Sequence, residues 1–134
     1  MDFASLIPVG AAGSAELLVA EEHTAPRVGS GRVHVLATPV MINLMEAAAL
    51  DAFERFLPAG YQSLGTLLAV EHVAATPVGM RVRATATVLA VEGRTVRLAV
   101  EAHDEVERVG GGEHRRVVVN VARFDERVAR KRAV

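Results

Sequence analysis

The sequence predicts an α+β domain in which a curved antiparallel sheet wraps around one long central helix. Three observations carry this. A single Ala-rich apolar stretch of helical period runs from Thr38 to about Leu57. The period then changes to two and holds until Val121, and turn residues interrupt it at regular intervals. A lone helix this apolar is best covered by a sheet that bends around it, and the many alanines in the strands allow the close approach.

In chain order, Glu16 to Glu21 reads as a short strand, and His23 to Arg32, with Pro26, Gly29, Ser30 and Gly31, reads as loop. Thr38-Pro39 opens the helix, with Thr38 as the capping residue and proline at the first helical position. Pro58-Ala59-Gly60 ends it. Thr66 to Ala75 is the next strand, and Thr76-Pro77-Val78-Gly79 fits a type I turn. From Arg81 to Val91, Val82, Ala84, Ala86, Val88 and Ala90 alternate with Arg81, Arg83, Thr85 and Thr87, as a half-buried strand requires. Glu92-Gly93 turns the chain into a strand through Val96, Leu98 and Val100, and His103-Asp104 is a further turn. Gly110-Gly111-Gly112 reads as a flexible hairpin loop before a last strand from Arg116 to Val121. Arg123 to Arg132 is a basic tail, a short helix or frayed.

Composition narrows the function. The 134 residues suffice for one domain, spanning 1–134, that buries roughly two thirds of its unfolded surface. A net charge of −1 argues against a general nucleic-acid binder. The absence of cysteine excludes disulfides, thiolate metal sites and a cysteine nucleophile. The stretch from Leu6 to Ala20 is broken by Pro8, Gly10, Gly13 and Glu16, and no segment is apolar for long enough to span a bilayer. A cytoplasmic protein without membrane contact is the expectation.

The most informative single residue is Glu46. On a regular helix it shares a face with Ile42, Ala49, Leu50 and Phe53, so an acid stands in an apolar stripe. Such a carboxylate needs a partner, a raised pKa or a polar cleft. An active-site acid, a structural salt bridge and a stripe turned so that Glu46 lies at its edge all satisfy that requirement. Thr38 at the helix start and His72 in the following strand complete a candidate set for acyl transfer or hydrolysis, with a carboxylate as base or nucleophile and a histidine moving the proton. Eight helical residues rise roughly 12 Å, too far for Thr38 and Glu46 to share a hydrogen bond. Either the helix starts later, the substrate bridges them, or two subunits contribute. His103, Asp104 and His114 lack any metal-ligand spacing and read as solvated loop residues. The basic side chains of Arg123, Arg127, Arg130, Lys131 and Arg132 read as a solvated tail, with coenzyme phosphates as the functional alternative.

The segments from Ala37 to Glu46, Ser63-Leu64-Gly65-Thr66, Val70 to Gly79 and Val91-Glu92-Gly93-Arg94, in this order and spacing, resemble the hotdog-fold thioesterases. Within these they are most similar to the fluoroacetyl-CoA thioesterase group, over about Thr38 to Arg132. The resemblance implies an acyl-CoA thioesterase acting as a homodimer, with pairing of dimers into a tetramer left open and no cofactor required. It implies Thr38, Glu46 and His72 as catalytic residues and Gly65 as the backbone position facing the thioester carbonyl. It also implies His114 and Arg116 as contacts to substrate or coenzyme. The fluoroacetyl-specific enzyme carries phenylalanines in a lid before its catalytic threonine, whereas His23 to Ala37 here contains no aromatic residue. A general short or medium acyl group is therefore expected. A hotdog dehydratase or hydratase and a non-catalytic acyl-CoA binding module remain the alternatives.

Overall fold

A computed structural model describes residues 1–133. Five strands form one antiparallel sheet: β1 (Ala12–Leu18), β2 (Tyr61–His72), β3 (Arg81–Glu92), β4 (Thr95–Asp104) and β5 (Arg108–Asn120). Their spatial order is β1-β3-β4-β5-β2. The long helix α3 (Thr38–Phe53), extended by a 3-10 turn at Glu54–Phe56, lies in the hollow of this sheet. Short helical turns α1 (Phe3–Leu6) and α2 (Ala25–Val28) precede it, and α4 (Val121–Arg132) follows the last strand. This is the hotdog architecture, and the expected fold class holds.

Small residues set the helix–sheet distance. Met41, Leu44, Met45, Ala48, Ala49, Ala52 and Phe53 form the buried face of α3, packed on Val82, Ala84, Ala86 and Val88 of β3 and Val96, Leu98 and Val100 of β4. A Cβ built on Gly13 of β1 would strike the α3 backbone, 2.6 Å from the Ala48 carbonyl oxygen, so only glycine allows this contact. The stripe drawn through Glu46 is therefore displaced. Ile42 is only partly buried and Leu50 is exposed, because the helix turns Met45, Ala48 and Ala52 toward the sheet. Glu46 stands on the flank of the buried face, beside β2.

Several boundaries move for identifiable reasons. The first strand lies four residues earlier than expected, at Ala12–Leu18, where it pairs with β3. The segment from His23 to Arg32 is partly ordered into a 3-10 turn (Glu21–His23) and α2, closed by Gly29 at φ 92°. Strand β2 begins at Tyr61, directly after Gly60, and ends at His72. The turn before β3 runs Pro77 to Met80 with Gly79 at φ 95°, which a type II turn requires at its third position, instead of a type I turn one residue earlier. The chain remains in β4 through Asp104 and turns after it.

The glycine triplet is the largest difference. Gly110, Gly111 and Gly112 are paired residues inside β5, bonded between β2 and β4. Gly110 and Gly111 are buried and Gly112 is exposed, and at all three the strand passes too close to its neighbours for a side chain. A Cβ on Gly110 would lie 2.7 Å from Met41 Sδ, and one on Gly112 would collide with the Ala69 carbonyl of β2. Gly110→Val should therefore lower stability by roughly 2–4 kcal/mol in a urea titration, a cost typical of overpacking at a closed site. A change within about 0.5 kcal/mol would return the triplet to the status of a permissive loop.

Candidate active site

Thr38 is the first residue of α3, and Ala37 occupies the capping position with no side-chain hydrogen bond to the helix start. The expected capping role of Thr38 is thus absent. Its hydroxyl lies 2.8 Å from Nδ1 of His72, the last residue of β2. Burial holds the His72 pKa below its ordinary value, with partial compensation from the Ala74 backbone. A neutral imidazole with Nδ1 accepting from the threonine hydroxyl places the remaining proton on Nε2. That atom is buried without a hydrogen-bond partner in the chain. Beside this pair opens a cleft of about 350 Å³, lined by Val33, Val35 and Leu36 on one side and Val73, Ala74 and Ala75 on the other.

Glu46 belongs to a second cluster two helical turns away. One of its oxygens accepts from Nη1 of Arg116 at 3.1 Å. Arg116, on β5, is 5% exposed, and all three of its guanidinium nitrogens are engaged: besides Nη1, Nε donates to Ser63 Oγ at 2.8 Å and Nη2 to the Ser63 carbonyl at 3.0 Å. Ser63 in turn donates through both its amide and its hydroxyl to Glu54, each at 2.7 Å. Two carboxylates thereby bracket one buried cation, an arrangement that offsets the cost of removing it from water.

His114 completes the cluster. It is fully buried on β5; its Nδ1 donates to the Leu67 carbonyl at 2.8 Å, and its Nε2 accepts from Arg116 Nη1 at 3.2 Å. This pattern requires the neutral ring. Burial is the main cause of its lowered pKa, and the positive Arg116 adds to it. Arg116 holds Glu46 directly, and His114 bonds Arg116 in turn.

Gly65 of β2 lies against the same carboxylate. A Cβ there would come within 2.7 Å of a Glu46 oxygen and 3.3 Å of the His114 ring. The register of β2 against β5 slips between Gly65 and Leu67, so a bulge at Thr66 bends the strand beside Glu46. Helix α3 starts at Thr38, so the chain itself keeps Glu46 apart from the Thr38–His72 pair. His103, Asp104 and His114 do not meet: Asp104 caps its own turn and accepts from Thr76 at 2.9 Å. No cluster of metal-ligating residues occurs among the described residues.

Sequence reasoning missed the Glu54–Ser63–Arg116 chain. The signal was available in period two, since Arg116 shares the inward face of β5 with His114 and Val118. An arginine on a core-facing position must be paired.

The buried imidazole of His114 and the half-buried one of His72 also fix a pH dependence of stability. Their folded pKa values lie below those of the unfolded chain, so the unfolded state takes up protons first as the pH falls. Stability is full above the ordinary histidine pKa of 6.5 and decreases below it, by at most about 1.4 kcal/mol per pH unit for each histidine. Melting temperatures measured from pH 8 to about 5.5 should fall toward acid, and His114→Gln should flatten the slope. An equal slope in that variant would remove His114 from the account.

The model of the fluoroacetyl-CoA-specific thioesterase family, FlK, matches residues 19–122. The fluoroacetyl-CoA thioesterase of Streptantibioticus cattleyicolor is 43% identical over 97 residues, 72% of this chain and 70% of that protein. The solved structure of the fluoroacetyl-CoA thioesterase FlK superposes with a TM-score of 0.88 at 35% identity, covering 93% of this chain and 97% of that one. A hot-dog-like protein from Thermanaerovibrio acidaminovorans gives a TM-score of 0.88 at 30% identity, over 98% of this chain and 97% of its own.

Proposed function

This chain belongs to the fluoroacetyl-CoA-specific thioesterase family, with its hotdog fold, and we propose that it hydrolyses short acyl-CoA thioesters at a site shared by two copies of the chain. The observation that carries the reading is the Thr38–His72 hydrogen bond, whose buried Nε2 has no partner, set apart from an anchored Glu46.

A second copy supplies what one chain separates. β2 is an edge strand of twelve residues, a long row of backbone groups open to pairing. Leu64 on this strand is exposed, as are Asn43, Ala47 and Leu50 on the adjacent flank of α3. Two-fold antiparallel pairing through β2 sets the start of one strand beside the end of the other. Gly65 and Glu46 then approach Thr38 and His72 of the partner subunit. Nε2 of His72 is the atom that Glu46 of the partner subunit would meet.

In that arrangement Glu46 either takes a proton from the attacking water or attacks the thioester carbonyl carbon itself. The C–S bond breaks, coenzyme A leaves as the thiol, and water supplies the oxygen and protons of the two products. His72 moves the proton, Thr38 fixes the ring, and the Gly65 amide stabilises the oxyanion. The acyl group occupies the cleft lined by Val33, Val35 and Leu36. With no aromatic side chain there, fluoroacetyl-CoA and acetyl-CoA should differ in kcat/KM by less than about tenfold, one pocket contact's worth of discrimination.

Thiol release from acyl-CoAs of increasing chain length tests the activity. Glu46→Gln and His72→Ala should each lose roughly 10²–10⁴ in kcat with the fold retained. Wild-type turnover in Glu46→Gln would overturn the assignment. Because the neutral imidazole is the working form, the acid limb of kcat/KM should lie below 6.5. Leu64→Lys should shift sedimentation from dimer to monomer and abolish turnover together, whereas a fully active monomer would exclude the shared site.

A further inference from the structure

A cavity larger than the cleft at Thr38 opens elsewhere on the chain. It is a groove of about 560 Å³ at the opposite end of β2, between that end of the sheet and helix α4. Its walls carry Arg94 from the β3–β4 turn and Arg123, Arg127 and Arg130 from α4, with Tyr61 at its floor and Glu126 as its one acid. The arginines of β4 and β5, Arg97, Arg108, Arg115 and Arg116, have carboxylate partners within 4.0 Å, whereas Arg81 and Arg83 of β3 have none among the described residues. Among the described residues none of the four groove arginines has one.

The groove is built, and the basic tail expected from the sequence is not frayed. Twelve residues form α4, capped by the Asn120 side chain, which accepts from the Arg123 amide at 3.1 Å. Spacings of four and three residues put Arg123, Arg127 and Arg130 on one helix face. The Arg94 carbonyl accepts from the Val118 amide at 2.8 Å and ties its turn to β5. Tyr61 meets the buried Phe3 edge-on at 5.6 Å between ring centres, which leaves a half-buried phenol ring in the groove.

We propose that this groove binds the phosphorylated nucleotide end of an acyl-CoA, with Arg94, Arg123, Arg127 and Arg130 on its phosphates and Tyr61 against the adenine. The proposal rests on the thioesterase reading for its ligand. Four unpaired guanidiniums converging on a cavity match a polyanion, because arginine engages phosphate bidentately. An aromatic surface at the same place suits a base. Within one chain the groove at Tyr61 and the cleft at His72 lie eleven strand residues apart, roughly 36 Å, longer than the pantetheine arm. Across a β2–β2 pair that sets Gly65 opposite His72 of the partner subunit, Tyr61 lies only four residues, about 13 Å, further on. The arm then runs along the subunit boundary from one protomer's groove to its partner's cleft.

Calorimetric titration with adenosine 3′,5′-bisphosphate is compared between wild type, Arg123→Ala/Arg127→Ala and, as a charge control, Arg81→Ala. The same proteins are assayed with acetyl-CoA and with S-acetylpantetheine, which lacks the nucleotide. The groove variant should bind the bisphosphate at least tenfold more weakly. Its ratio of kcat/KM for acetyl-CoA over S-acetylpantetheine should fall at least tenfold, as loss of two charge-assisted contacts implies. The Arg81 variant should match wild type in both. No binding to wild type, equal binding to the groove variant, or an unmoved ratio overturns the proposal. So does inorganic diphosphate binding as tightly as the bisphosphate, which would mark a simple anion site. If wild type cleaves neither thioester, the hydrolysis reading fails, and the bisphosphate titration still decides the groove.

Discussion

The buried guanidinium of Arg116 governs the rest of the site. Taken out of water, it must be met by acceptors, and these constrain other elements: Ser63 fixes the start of β2 and, through its own bonds to Glu54, the end of the helix, while Glu46 fixes the helix middle. The neutral ring of His114 fills the remaining direction and is fastened to the Leu67 carbonyl. An acid that begins as an anomaly on a helix flank thus becomes the outermost member of a rigid polar chain. Its carboxylate is held without being sealed, with 37% of its side chain still open.

Glycine makes this geometry affordable in space. Gly65 lets β2 pass directly over the Glu46 carboxylate, Gly13 brings β1 onto the α3 backbone, and the triplet in β5 lets three strands and Met41 crowd one another. In each case the missing side chain allows backbone or a catalytic-type group to occupy its volume. The sheet can then curve tightly around a helix whose buried face is largely alanine and methionine.

A hotdog chain that builds Glu46 on the middle of its helix and the Thr38–His72 pair at its entrance keeps them about two turns apart. Each half carries an unmet requirement: a partly open carboxylate and an unpartnered Nε2. The open edge of β2 lies beside both. The proposed site shared by two copies would meet all three together.

The sequence by itself established the helix and the alternating strands and, through motif resemblance, singled out Thr38, Glu46 and His72 as candidates. These are local properties: period, turn chemistry and residue spacing follow from the chain's own stereochemistry. Tertiary packing decided the rest. Thr38 leaves its capping role because a strand thirty-four residues later brings His72 within 2.8 Å. The glycine triplet reads as a loop until β2 and β4 are seen on either side of it. The partners of Arg116 outside its own strand come from α3 and β2, which no local pattern connects to β5, because burial of a charge is settled only when distant segments close around it.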